Sequence, residues 1–464
     1  MRLRGVVATG LAAAVAVSAT AACGSQDPVV PAPAPSERTF TGDPSRSANP
    51  VGDGDWPTYH RDNARSGLAP GFPAPGKLSQ AWKVDLDGAV YGQPLVIGDT
   101  VFAATEHDTV YAIAADNGQL RWSAHLGEPM PRHQLPCGNI DPLGVTSTMV
   151  FDPATGLVFA LAETLGAHHT LFGLDARTGA VRVSRAAEPP KGDPVAHQQR
   201  AALNLLGNRV YVAYGGLAGD CGDYVGSVVA IPTNGSGPAL SFAIPTPREG
   251  GIWAPGGGIV HNGRLLYAAG NGESTGDYDG SDSVTALDAD LKALDRFSPS
   301  TWAQDNAADL DLGSMSAAVV NGYVFIAGKR GVGYTLRPDR LGGIGGQVAT
   351  ADVCAGFGGA AVDGDTVYVP CSDQPMAVRV DGAGKMHVRW RSPVHAAGAP
   401  VVGGGAVWVV DYDGGTLYAL DAATGSVRQQ VPIGGKAPHF ASPALARGRV
   451  FVGTLHGVTA VNVR

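Results

Sequence analysis

The chain has 464 residues, a net charge of −8 and only 16% charged residues, against 66 glycines. No lysine- and arginine-rich cluster accompanies that acidic balance, so nucleic acid is excluded as an expected partner, because phosphate binding needs concentrated cations. Many short strands joined by tight turns suit this composition better than long helices.

The amino terminus comes first. Arg2 and Arg4 precede an apolar run from Val6 to Val17, shorter than the ~20 residues that span a bilayer. Small residues Thr20-Ala21-Ala22 then lead to Cys23. This resembles a bacterial lipoprotein signal peptide (residues 1–22), which implies lipidation at Cys23 and a membrane lipoprotein on the extracytoplasmic face. Thr20 departs from the usual leucine, and an ordinary secretory signal cleaved near Ala22 is the other reading. Residues 23–55 are rich in proline, serine and small side chains, the composition of a stiff, solvated tether.

From Trp56 onward one unit recurs. In its clearest copy, Ala399–Val402 turns at Gly403-Gly404-Gly405 into Ala406–Val410. Asp411–Gly415 leads on to Thr416–Leu420, and the turn Asp421-Ala422-Ala423-Thr424-Gly425 opens the strand Ser426–Pro432. Asp and Thr cap exposed turn amides, and Gly supplies the positive φ of a hairpin. Similar units begin near Gln93, Val145, Ala201, Gly257, Ser314 and Gly358, each roughly 40–50 residues long, which is the repeat signature of a β-propeller. The last unit, Ala441–Arg464, holds three strands, and its missing outer strand is supplied by Leu78–Leu86. The expectation is therefore an all-β, eight-bladed propeller over residues 56–464, closed by its amino-terminal strand. A seven-bladed ring is the structural alternative.

In such a ring the loops between second and third strands share one face with the connections between blades. Those loops gather Glu106-His107-Asp108, His168-His169, Asp220–Asp223, Asn271–Asp282, Lys329-Arg330, Asp373, Asp411-Tyr412-Asp413 and His456. Apart from Cys23, four cysteines remain, an even number that suits disulfides in a secreted chain. Four cysteines allow three connectivities. Their places in the ring favour Cys137–Cys221 and Cys354–Cys371.

The D-x-x-T-G turns, the segment W-P-T-Y-H-R-D-N-A-R-S-G at Trp56 and the repeated four-stranded units together resemble the pyrroloquinoline quinone-type propeller superfamily. That superfamily holds calcium-dependent alcohol dehydrogenases and also non-catalytic lipoproteins. T-G-D-Y-D-G-S-D-S-V-T-A-L-D resembles the dehydrogenase segment carrying the base, which implies Asp277 as base, and Asn271 with Asp277 as calcium ligands. G-G-I-W-A-P-G-G-G resembles the segment whose tryptophan lies under the quinone, implying Trp253. A-G-K-R-G-V-G-Y-T-L resembles the one that supplies a basic side chain to the quinone oxygens, implying Lys329. Two features depart from the family. The blade-three loop offers Cys221, with Asp220 and Asp223 beside it, where a calcium-binding glutamate is expected, and Cys137 has no adjacent cysteine. With the calcium set broken, the expected function is a monomeric, lipid-anchored scaffold whose polar face binds a protein, glycan or small ligand. A quinone- and calcium-dependent dehydrogenase acting on an alcohol or sugar is the alternative.

Overall fold

The computed structural model describes residues 36–39, 51–396 and 398–464. The signal peptide, Cys23 and most of the tether lie outside them. Among the described residues no helix is long and apolar enough to cross a membrane.

Eight antiparallel sheets follow one another along the chain. Blade one is Leu95–Ile97, Thr100–Ala104, Thr109–Ala114 and Leu120–His125, and blade seven is Val401–Gly403, Ala406–Asp411, Thr416–Asp421 and Val427–Pro432. The second and third strands are almost wholly buried, whereas outer strands such as Leu120–His125 alternate between exposed and half-buried. Strands of the first kind are packed between sheets on both faces, so they read as apolar runs. The eighth blade combines Ala444–Ala446, Arg449–Thr454 and Gly457–Val463 with Leu78–Asp85, which pairs antiparallel to Gly457–Val463. The ring therefore has eight blades, and its closure joins the two ends of the repeat region.

A tryptophan on the outer strand locks one blade to the next. Trp122 Nε1 donates to Ala176 O at 3.2 Å, Trp390 Nε1 to Ala422 O at 3.0 Å, and Trp82 Nε1 to Ala115 O at 3.1 Å. Each acceptor sits in the turn between third and fourth strands of the following blade, and the indole covers that turn's glycine. A Cβ on Gly179 would stand 2.6 Å from Trp122, and its φ is +72°. The glycine of D-x-x-T-G thus answers two demands, a left-handed backbone and a site for the neighbouring indole. Gly179→Ala is expected to cost about 3 kcal/mol, from strain plus overpacking. Chemical denaturation checks it, with Gly98→Ala as comparison, since a Cβ there meets nothing and only the φ of +59° is strained.

The segment Trp56–Ala69 is a plug across the inner strands. Trp56 N donates to Val96 O at 2.7 Å in blade one, and Phe151 N of blade two to Pro57 O at 2.9 Å. Val260 N of blade four donates to Asn63 O, Val362 N of blade six to Ser66 O, and Val402 N of blade seven to Gly67 O. Arg65, fully buried, donates to Gly258 O, Tyr59 O, Leu203 O and the Thr58 hydroxyl. Burial lowers its pKa to about 10, and four acceptors compensate for its desolvation. Tyr59 stacks on His60, whose ring reaches Ala360 O and Ser442 Oγ, each at 3.0 Å.

Part of the expected tether touches the ring while staying exposed. Arg38 exchanges two backbone hydrogen bonds with Ser184 on the outer strand of blade two, and Glu37 lies 3.4 Å from Arg185. An outer strand leaves a row of unpaired backbone groups, and a passing extended segment can satisfy them.

Candidate active site

On the polar face a cavity of about 290 Å³ opens at the centre of the ring. Its lining comes from connections between blades (Arg200, Trp253, Asp309, Asp311, Phe440) and from loops between second and third strands (Asp220, Asn271, Lys329). Sequence-distant segments converge here because both kinds of loop end on the same face.

The centre of the cavity is an ion cluster beside an indole. Lys329 Nζ is 2.6 Å from Asp309 Oδ1 and 2.7 Å from Asp311 Oδ2, and 5.7 Å from the centre of the Trp253 ring. Trp253 Nε1 donates to Asp311 Oδ1 at 3.3 Å. Asn271 Nδ2 donates to Asp309 Oδ1 at 3.2 Å, while Asn271 Oδ1 is buried without a partner. The short helix Trp302–Ala308, tied to blade five by the Asp305–Arg330 ion pair, ends at Asp309 with φ of 52°. That left-handed cap turns the chain so that two residues later Asp311 enters the cavity. Gly270 leaves room for it, since a Cβ there would lie 3.0 Å from Asp311 Oδ1.

The two carboxylates differ in environment. Asp311 is buried, and desolvation pushes its pKa up to about 6 although Lys329 opposes the rise. Asp309 is largely exposed; its partial burial is outweighed by the donors Lys329 and Asn271, which hold its carboxyl below the usual range. Burial works against the Lys329 ammonium, but Asp311 and Asp309 prevail and keep it charged. Asp311 is thus the carboxylate whose proton affinity is nearest neutral pH.

Arg200 carries a second cation to the cavity. Its guanidinium lies 5.6 Å from the Phe440 ring and 6.0 Å from that of Tyr91, with no ion pair or hydrogen bond among the described residues. Such a cation is free to meet an anionic ligand group.

Three of the four residues expected from sequence, Trp253, Asn271 and Lys329, meet in this cavity. Asp277 does not. It is exposed in the loop beyond Asn271, where its backbone carbonyl accepts from Ser274 Oγ at 2.6 Å. Asn306 Nδ2 holds the preceding turn through Ser274 O, which directs this stretch outward. The structure thus places Asp277 outside the cavity, away from its expected place beside Asn271, and the carboxylates that line the cavity there are Asp309 and Asp311. Their signal was D-L-D between blades four and five, in a connection on the same face as the loops.

Cys137 pairs with Cys221, and Cys354 with Cys371, at Cα separations of 6.1 and 5.7 Å. The first bridge fixes the cavity wall Leu217–Asp220 to the connection before blade two. Cys221 is committed to this bond, so it cannot serve as a metal ligand. Asp220 lines the cavity and accepts from Tyr224 OH at 2.6 Å.

A family profile described as outer membrane protein assembly factor BamB, built on the pyrroloquinoline quinone-type repeat, matches residues 75–218 and 287–464. The chain belongs to that repeat family. The matched segments leave out the stretch that carries Trp253 and Asn271. A polyvinylalcohol dehydrogenase of Sphingopyxis sp. is 27% identical over 483 residues, covering 86% of this chain and 69% of the relative. Two solved structures share the fold. A quinohemoprotein alcohol dehydrogenase of Pseudomonas putida superposes with a TM-score of 0.70 at 16% identity, over 89% of this chain and 80% of that one. BamB of Moraxella catarrhalis gives 0.56 at 16% identity, over 83% and 97%.

Proposed function

We propose that the cavity is the active site of a quinone-dependent dehydrogenase that oxidises an alcohol. The observation carrying this reading is the cluster itself: one ammonium between two carboxylates, beside an indole and an unpartnered amide oxygen. The dehydrogenase names among the relatives support it over the scaffold expected from sequence.

The residues fit a flat, anionic quinone such as pyrroloquinoline quinone. Trp253 offers an aromatic face, Lys329 and Arg200 offer two cations, and the Asn271 oxygen awaits a partner. They do not complete a calcium site. At the ion cluster Asn271, Asp309 and Asp311 give three oxygen-bearing side chains against the six to eight ligands calcium takes, and Asp220 on the cavity wall accepts from Tyr224 OH instead. Lys329 already lies between the two carboxylates, and among the described residues no group of three acidic, histidine or cysteine side chains is arranged to hold a metal.

When bound, the quinone supplies a two-electron acceptor for the hydrogen on the alcohol carbon. The protein's part is proton and charge management. Asp311, ionised above a pH of about 6, accepts the hydroxyl proton. Lys329 holds Asp311 in place and lowers the cost of its charge. Trp253 orients the aromatic ring, and the plug beneath limits water to the open face.

The test is reconstitution of purified protein with quinone, with and without calcium, followed by alcohol-dependent dye reduction. Turnover that vanishes in Asp311→Asn while the quinone stays bound supports the reading. Failure to bind quinone under either condition returns the protein to a binding scaffold.

A further inference from the structure

From Trp253 the cavity continues outward along a row of aromatic rings that, beyond that indole, the chemistry above does not use. Trp253 lies 6.1 Å from Phe440 and 6.4 Å from Phe357, and those two phenyl rings stack at 6.2 Å with an angle of 10°. From Phe440 the row runs to His439 at 5.5 Å and on to Tyr412 at 4.6 Å. His439 is exposed and the other four are half-buried, so the row keeps open surface from the centre of the mouth to the loop of blade seven.

Two further observations mark it as a built surface. Phe440 has φ of 66°, a left-handed conformation that costs a bulky residue about 1–2 kcal/mol. The fold maintains that cost and thereby holds the ring over the cavity. Gln198 also lines the cavity, 3% exposed, with no side-chain hydrogen bond among the described residues. Its amide therefore keeps two donors and an acceptor to offer a ligand in the cavity.

We propose that this row is an extended subsite for a long, uncharged polyhydroxylated chain, with C–H groups against the rings and hydroxyls toward Gln198 and the exposed Asn139, which also lines the cavity. It rests on the alcohol-oxidising reading and adds that the substrate is chain-like. An uncharged occupant suits the row. The surrounding protein partly desolvates the His439 ring although its edge is exposed, and this with the nearby Arg200 lowers its pKa and favours the neutral form. Asp413 beyond Tyr412 is already paired with Lys436 at 3.4 Å. A lone small alcohol would leave most of the row bare.

The probes are oligomers of vinyl alcohol and maltohexaose, with propan-2-ol and glucose as their short counterparts. Binding is measured by calorimetry without turnover, so the result stands even if no alcohol is oxidised. One oligomer is expected to bind at least about 10-fold tighter than its short counterpart, and which one does so assigns the chain as carbon-backbone polyol or glycan. Tyr412→Ala and His439→Ala should each reduce that advantage about 3- to 10-fold, the range of single aromatic contacts. His439, being exposed, guards against misreading a folding defect in the tyrosine variant. Equal affinity for long and short ligands, or an advantage untouched by both substitutions, overturns the proposal.

Discussion

Asp311→Asn is expected to lower kcat for alcohol oxidation by about 10²- to 10⁴-fold, the contribution of a positioned base. The amide keeps the size of the carboxylate and its contact with Trp253 but cannot take the proton, so quinone affinity should change far less than turnover. In the parent protein the rate should rise with pH through about 6, where Asp311 loses its proton. Lys329→Met moves that limb in a known direction. Removing the ammonium leaves a buried carboxyl with less compensation, so its pKa rises and the limb shifts to higher pH. Asp309→Asn is the control, because that carboxyl already lies below the usual range and is mostly exposed. If Asp309→Asn abolishes the limb near 6 and Asp311→Asn preserves it, the base has been assigned to the wrong carboxylate.

Trp82→Ala is expected to destabilise the ring by about 3–5 kcal/mol, a large share of the ~5–15 kcal/mol that holds a folded protein together. Trp82 closes the circle twice over. Its strand pairs with Gly457–Val463 in the eighth blade, and its indole reaches the turn of the first blade through Ala115 O and Gly118. It also packs 5.9 Å from Phe451. Truncation after residue 55 should leave the propeller folded, whereas truncation after Leu86 removes both the plug and the closing strand and should prevent folding. Denaturant midpoints and solubility distinguish these outcomes. A midpoint for Trp82→Ala no lower than that of an exposed-site control such as Val427→Ala would contradict this account of closure.

The fold was legible because its signals are local. Alternating strands, D-x-x-T-G turns and a short final unit are each contained within one blade, and a missing fourth strand asks for a spare one. The interlocking role of Trp82, Trp122 and Trp390 was not legible, since each indole acts on a glycine in the following blade. The plug was equally hidden. Nothing in the composition of Trp56–Ala69 says that its backbone will serve several different blades. In the site, Trp253, Asn271 and Lys329 could be found by resemblance. Asp277 misled because its spacing from the strand Ser283–Leu287 matches the expected pattern, while the loop bends outward at Ser274. Asp309 and Asp311 lie beyond a short helix in a connection between blades, and attention to hairpin loops alone passes over them. The buried, unpartnered oxygen of Asn271 and the unpaired guanidinium of Arg200 appear only in three dimensions.

The central claim is that the mouth of this ring holds a quinone between Trp253, Lys329 and Arg200. Equilibrium dialysis of the purified propeller against pyrroloquinoline quinone, read by absorbance, tests it most directly. One quinone bound per chain is predicted, with affinity reduced at least about 10-fold in Trp253→Ala and in Arg200→Met. No saturable binding, or binding that both variants retain unchanged, would contradict it.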